Sequence, residues 1–362
     1  MSSKVTMLWS WAAWRFVIMA CVGAGGVSSL EGASIGADLQ KTSVRNSCTP
    51  AFLGLGVPSG APFSMAVDVS ADGTTVTGTY GHEAFRFSGT LELLGILPGG
   101  YFSTGKGVSG DGSVVVGHSN DPVFVHAVMW QDGELTSLGF LPGGSYSVAN
   151  DISDNARVVV GVAHNGTRYE AFRWDARNGM VGLGTLDGRN SEAWAVNRDG
   201  SVIVGTIYDT STTEAFLWQR GAGMSALGFL DGFHSSKASG VSANGRVVFG
   251  SVYDGSNSYP ARWTRQDGWE RLGSAPGGVG AASSDGSVVV GSYIDEVPQS
   301  NALIWDEVNG VRSIQEVLTA AGMSLTGWRL RAASGISNDG KVVAGYGINP
   351  FGKEEAWMAC MP

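Results

Sequence analysis

The sequence predicts an all-β fold, a seven-bladed β-propeller of four-stranded blades, and three observations carry this reading. A nine-residue hairpin signature recurs seven times: SADGTTVTG (70–78), SGDGSVVVG (109–117), SDNARVVVG (153–161), NRDGSVIVG (197–205), SANGRVVFG (242–250), SSDGSVVVG (283–291) and SNDGKVVAG (337–345). Each copy follows a Leu-Gly pair or its equivalent, at Leu55, Leu94, Leu138, Leu183, Leu227, Leu272 and Ile314, with spacings of 39, 44, 45, 44, 45 and 42 residues. A period in the low forties is the mark of a four-stranded blade repeated around an axis. Finally, the valine runs are apolar at every position rather than alternating, as in strands covered on both faces.

Taken in chain order, the N-terminus reads as an export signal. Lys4 and Arg15 precede the apolar stretch FVIMACVGAGG (16–26), which is too short to span a membrane. Residues 1–37 are assigned to a signal peptide whose cleavage site the sequence leaves open, 38–50 to a linker, and 51–362 to the propeller. IMAC (18–21) has lipobox character. Plain secretion and lipidation at Cys21 therefore both stay open, with an uncleaved anchor as the third course.

One complete unit, residues 138–182, shows the strand plan. SVANDIS is the first strand, RVVVG the second, EAFRW the third, and the Leu-Gly segment that opens the next unit the fourth. The Asp-Gly and Asn-Gly tips suit type I′ hairpins, and Asn155-Ala156 predicts a different turn in that copy. An aromatic recurs at one register of the third strand, at Phe87, Trp130, Trp174, Trp218, Trp263 and Trp305. Packing between neighbouring blades is its expected role. The last unit carries an insertion in which Ser313 and Glu316 have capping-box spacing and Gly322 marks a stop, predicting a short helix over Ile314–Ala321.

The first unit begins with only a Leu-Gly segment, and the last ends after its third strand. AFLGLG (51–56) is therefore expected to supply the fourth strand of the last blade, with Ala51 opposite Cys360 and Ala356 opposite Leu55. Cys48 then lies beyond disulfide reach of Cys360 unless the chain folds back before Pro50. The sequence leaves a Cys48–Cys360 bond and two free thiols as alternatives.

LGILPGG (94–100), LGFLPGG (138–144), EAFRW (170–174), EAFLW (214–218) and the ending LTGWRL…ISNDGKVVAGYGINPFGKEEAWM resemble the bacterial HAF-repeat family of extracellular repeats. The resemblance covers residues 51–362 and implies export and a propeller-like β-fold. It implies no activity. The residue before the third-strand alanine departs from the family's name-giving histidine, being Glu83, Glu170, Glu214 or Glu355, with histidine only at His126.

Composition narrows the function. A formal net charge of −9 without a Lys/Arg cluster argues against nucleic acid. GYFSTGKG (100–107) has phosphate-loop spacing but Gly107 where magnesium would need a hydroxyl, and no helix follows. The five histidines (82, 118, 126, 164, 234) have no metal-ligand spacing and read as surface positions. No nucleophile elbow is found, so neither metal nor cofactor is expected. Glu83, Glu170, Glu214 and Glu355 share one height around the ring. They are either solvated strand ends or a carboxylate ring for a cation or basic partner. The favoured function is a non-catalytic binding or surface-interaction module of the cell exterior or envelope. It is expected to be a monomer with a protein or glycan ligand, touching a membrane only if Cys21 is lipidated. The alternative is a propeller enzyme of polysaccharide lyase or glycoside hydrolase type, with its site at the ring axis.

Overall fold

The computed structural model describes residues 48–295 and 299–362. Residues 1–37, where a signal peptide is expected, most of the expected linker, and Cys21 lie outside the described residues. Seven four-stranded antiparallel sheets form the blades: residues 64–93, 103–137, 147–182, 190–226, 235–271, 277–313, and 329–360 with 51–54. The first strands of the seven sheets (Ser64–Val69, Ser103–Val108, Ser147–Ile152, Asn190–Val196, Ser235–Val241, Gly277–Ala282 and Arg329–Ile336) contact one another in a closed circle and surround the axis. The second strands, with the valine runs, are buried on both faces. Val115, Val116, Val159, Val160, Ile203, Val204, Val289 and Val290 have no accessible surface.

The last blade closes as its register predicts. Ala51–Gly54 pairs antiparallel with Glu354–Cys360, setting Ala51 opposite Cys360, and the Leu55 amide donates to the Ala356 carbonyl at 2.8 Å. The chain before Pro50 does fold back, and the Cα atoms of Cys48 and Cys360 stand 5.9 Å apart, within disulfide reach. The predicted helix is present as Ile314–Ala320, with the Ser313 hydroxyl accepting from the Glu316 amide. Its buried face, Ile314 and Leu318, packs into the core between the last two blades. The fourth strands sit one step earlier than expected, for example Gly179–Gly182 and Glu134–Ser137. The Leu-Gly pair lies just beyond the strand, where only the leucine amide still pairs, as Leu138 does with Ala127.

The hairpin tips differ from the type I′ expectation. In the first copy only Gly73 has positive φ (73°). Its amide donates to the Ser70 carbonyl, the Ser70 amide to the Thr75 carbonyl, and the Thr75 amide to the Ser70 hydroxyl. The Asp72 carboxylate accepts from the Ser70 hydroxyl and the Thr74 amide. These are wider loops in which the aspartate works through its side chain, not through left-handed backbone. Ala156, at φ 57°, closes on Ser153 in the same way, so its copy keeps the common turn. Type I′ geometry does occur, at Asp132-Gly133 between third and fourth strands, where both φ are positive.

The repeat also encodes a fastening between blades. The inner-strand serine of one blade is buried against the third strand of the preceding blade. Ser103 accepts from the Ala84 amide (2.9 Å) and donates to the Gly95 carbonyl (2.8 Å). Ser147, Ser191 and Ser236 repeat this with Ala127, Ala171 and Ala215, and Ser64 closes the circle on Ala356. The third-strand aromatics pack as expected, each against a core cluster that draws on strands of its own or a neighbouring blade, Trp130 and Trp305 being almost fully buried.

Candidate functional site

The four glutamates singled out by their common height do not form a ring at the axis, because the third strand is two removed from it. Glu83, Glu170 and Glu355 each accept the amide of the glycine in the nearby Leu-Gly pair: Gly95 (2.8 Å), Gly184 (2.9 Å) and Gly56 (2.8 Å). Glu214 instead pairs with Arg189 at 3.0 Å. Each is engaged locally, holding a loop at the blade end. Among the described residues no group of three or more His, Cys, Asp or Glu is placed to hold a metal ion.

Chemistry gathers on the inner strands instead. Every one of the seven carries a β-bulge, which leaves Val67, Lys106, Asn150, Trp194, Ser239, Gly280 and Ser334 unpaired, and the last strand has a second bulge at Arg331. A bulge twists a strand and re-aims a side chain, and here it falls where the strands line the axis. These positions do not repeat, unlike the serines and alanines beside them. Two steps nearer the strand start, the series Met65, Thr104, Val148, Glu192, Lys237 is equally varied.

Blades 2 to 5 supply the polar part. The Asn150 amide group donates to Glu192 Oε1 at 3.0 Å and to the Ala193 carbonyl at 2.8 Å. Lys237 Nζ stands 4.0 Å over the Trp194 ring, a cation–π contact. Each of these charged groups keeps some accessible surface because it faces the lumen, yet protein encircles it. Burial pushes the Lys106 and Lys237 ammonium groups below their ordinary range, and the Glu192 carboxylate opposes this. Burial pushes Glu192 up, against the Asn150 hydrogen bond and the two lysines. His118, on the second strand opposite Thr104, is held down to about 3 by burial and by Lys106. It is therefore a neutral imidazole beside the lumen, not the surface residue expected from spacing. Above this set stand Tyr146, Tyr169 and Tyr208. The first two rings meet edge to face at 5.6 Å. Burial raises Tyr146 to about 12 and lifts Tyr208 further, and the Tyr169 hydroxyl and Glu192 add to both.

The opposite end of the axis is closed. Backbone hydrogen bonds run from tip to tip: Asp72 to Gly110, Gly110 to Asp154, Ala243 to Ser284, Ser284 to Asn338, and Asn338 to Ala71, at 2.9–3.2 Å. The Asn338 side chain reaches from blade 7 to Asp154 of blade 3 at 2.9 Å, crossing the axis. On the floor just inside, Asp68 accepts the amides of Val69 and Val108, and Asp151 those of Ile152 and Val196, at 2.7–2.9 Å. Each thereby ties its blade to the next. Burial, only partly offset by these amides, raises Asp68 to about 7, and burial with the Asp68 charge raises Asp151 well above the carboxylate range. The axis is thus a blind funnel with an aromatic rim, a charged wall and a carboxyl floor.

Three polar atoms around the wall, His118 Nδ1, Trp194 Nε1 and Thr206 Oγ1, are buried without a protein partner. Thr206 pairs with Glu192 across the first two strands of blade 4. A separate surface recess lies beside the hairpin tips of blades 3 and 4, bordered by Ala156, Asp199, Met129, Trp174, Asp175 and Arg220. Within it Arg173 is paired with Asp175. None of the funnel's inner-strand residues reaches it.

Sequence reasoning passed over Lys106, Asn150, Glu192, Trp194 and Lys237. In the sequence Lys106 stands out only inside GYFSTGKG. The signal that finds them is the set of charged or bulky residues interrupting inner strands otherwise built of small ones.

This architecture makes the chain a β-propeller. Neither protein-family patterns nor curated protein sequences gave a match to it, so the class stands on fold. Among solved structures it resembles the oligogalacturonate lyase of Vibrio parahaemolyticus, with a TM-score of 0.56 and 11% identity over 87% of this chain and 97% of that one. An oligogalacturonate lyase in complex with manganese gives 0.54 and 12% over 86% and 96%. The propeller domain of the Trilobed protease from Pyrococcus furiosus gives 0.53 and 10% over 82% and 95%. At these identities the likeness is one of fold.

Proposed function

We propose that this is an exported propeller of the HAF-repeat kind that binds a polar ligand in its axial funnel without transforming it. The observation that carries the reading is the concentration of non-repeating polar side chains on the inner strands of blades 2 to 5. Folding explains the repeated residues: serines fasten blades, aspartates shape tips, glutamates hold loops. It does not explain two lysines, a glutamate and a tryptophan in the lumen, where desolvating them costs stability.

Titration of the full chain with a panel of sugars, amino acids and organic acids, followed by tryptophan fluorescence and calorimetry, tests the proposal. Binding that Glu192→Gln or Trp194→Ala weakens supports it. A ligand whose binding both variants leave unchanged argues against an axial site.

The second reading is an enzyme at the same place, of lyase or glycosidase type. It is favoured by Lys106 and Lys237, whose lowered pKa beside Glu192 suits proton transfer, and two of the fold neighbours are lyases by name. Product analysis after prolonged incubation separates the two. Turnover abolished by Lys106→Met or Lys237→Met establishes the enzyme, whereas saturable binding with intact ligand recovered establishes the binding module.

A further inference from the structure

We infer that the recess beside the tips of blades 3 and 4 is a second binding site, built for a small organic anion. Its ligand carries one oxyanion, a carboxylate or a phosphate, on a flat apolar body. The site is independent of the axial reading, since no inner-strand residue of the funnel lines it.

The recess measures about 460 Å³, within the roughly 300–1,000 Å³ of small-molecule sites. Three blades build it. Met129 comes from blade 2, Val158 and Trp174 from blade 3, and Asp199 and Arg220 from blade 4. Met129, Val158 and Trp174 are the apolar part of the lining. Trp174, unlike Trp130 and Trp305, is only half-buried, so the indole keeps accessible surface for a ligand to cover.

The charge of the lining is not balanced within it. Arg173 pairs with Asp175, whose carboxylate also accepts from the amides of Arg177 and Asn178 and from the Asn178 side chain, at 2.9–3.0 Å. Asp199 accepts from the Ser201 amide and hydroxyl. Arg157 and Arg220 are different. Both are exposed, and among the described residues neither guanidinium enters an ion pair. Three guanidiniums thus stand against two carboxylates, in a chain whose net charge is −9. One bound oxyanion completes the balance, and a guanidinium fork matches a carboxylate or phosphate through two parallel hydrogen bonds.

The repeat does not require this pair of arginines. Arg157 takes the fifth place of the nine-residue signature, where the neighbouring blades carry Ser113 and Ser201. Blade 5 has Arg246 there, but Glu307 of blade 6 stands where Arg220 would be needed. An arginine at the tip followed by an arginine at the matching place of the next blade occurs in blade 3 alone. A bare inorganic anion would leave Trp174 and Met129 uncovered, and a neutral apolar molecule would leave both guanidiniums unmatched. An aryl acid meets both needs.

Calorimetric titration of the full chain with phenylacetate, phenyl phosphate, phenylacetamide, acetate and inorganic phosphate tests the inference. At least one of the two aryl acids is expected to bind about tenfold or more tightly than phenylacetamide, acetate and inorganic phosphate. The tighter of the two identifies the oxyanion. Arg157→Ser and Arg220→Glu, which install residues the repeat uses at these places in other blades, should each weaken that binding at least about fivefold with an unchanged melting curve. The comparison of probes on the unaltered chain stands if either variant fails to fold. Equal binding of acid and amide would overturn the anion. Acetate or inorganic phosphate binding as tightly as the aryl acids would overturn the apolar body, and no binding by any probe would overturn the site. Binding lost in Glu192→Gln but unchanged in Arg157→Ser would place the ligand in the funnel, overturning this inference and leaving the axial reading standing.

Discussion

Ala51 stands opposite Cys360 in the outermost pairing of the last blade, and Cys48 turns back so that its Cα lies 5.9 Å from that of Cys360. The first and last described strands are thus joined by backbone pairing and brought within reach of a covalent link 312 residues apart in sequence. In the chain-entropy account such a loop stabilises by up to about 5 kcal/mol, and strain lowers the figure. Cys48→Ser should lower the melting temperature of non-reduced protein, and reductant should lower wild type to the same level. Wild type should show no thiol that reacts with a maleimide at Cys48 or Cys360. Two reactive thiols under native conditions would reject the bond.

Ala156 occupies a left-handed position that glycine takes in the other tips. An L-residue there costs roughly 1 kcal/mol relative to glycine. Ala156→Gly is therefore expected to stabilise the chain by up to about 1 kcal/mol, reduced by the loss of a methyl that packs with blade 2. Urea unfolding measures it, and an unchanged or lower midpoint would show that the methyl contact outweighs the backbone strain.

The blade-fastening serines make a sharper test of what the repeat is for. Ser103→Ala leaves the buried Ala84 amide without its acceptor. The expected loss is about 1–3 kcal/mol. Ser113→Ala, at an exposed tip, should stay within about 0.5 kcal/mol. Equal effects from the two would refute the fastening role.

Asp68 and Asp151 give the fold a pH dependence. Their folded values are raised, so the native chain holds protons that the unfolded chain has released. The contribution is full below about pH 4, the unfolded carboxyl value, and for Asp68 is lost as pH rises through about 7. His118 runs the other way, its folded value of about 3 making stability fall with acid, but that effect lies below its unfolded value of about 6.5. Unfolding free energy should therefore fall from about pH 4 to about 7, most plainly above about 6.5 where His118 no longer opposes it. The fall should shrink in Asp68→Asn and Asp151→Asn. An identical slope in the variants would assign it elsewhere.

By itself the sequence determined the blade count, the closure and its register, and the helix at Ile314. The blade count follows from rules that every copy obeys, a period near forty-four residues and second strands apolar throughout, and the helix from a capping serine that only the last unit carries. Ala51 could be set opposite Cys360 because a two-residue turn at Asp132-Gly133 fixes register in the second blade and the last blade repeats it. The tertiary structure alone decided the funnel. Lys106, Glu192 and Lys237 sit in different repeats, with nothing in their spacing to link them. They meet because seven inner strands converge on one axis, Lys106 at the bulge of its strand and Glu192 and Lys237 two positions before the bulges of theirs. The hairpin tips depart from type I′ geometry for a related reason. Asp-Gly specifies a turn, but its size here is set by the Ser70 hydroxyl and Asp72 carboxylate, and by contacts with the neighbouring tips that exist only once the ring has closed.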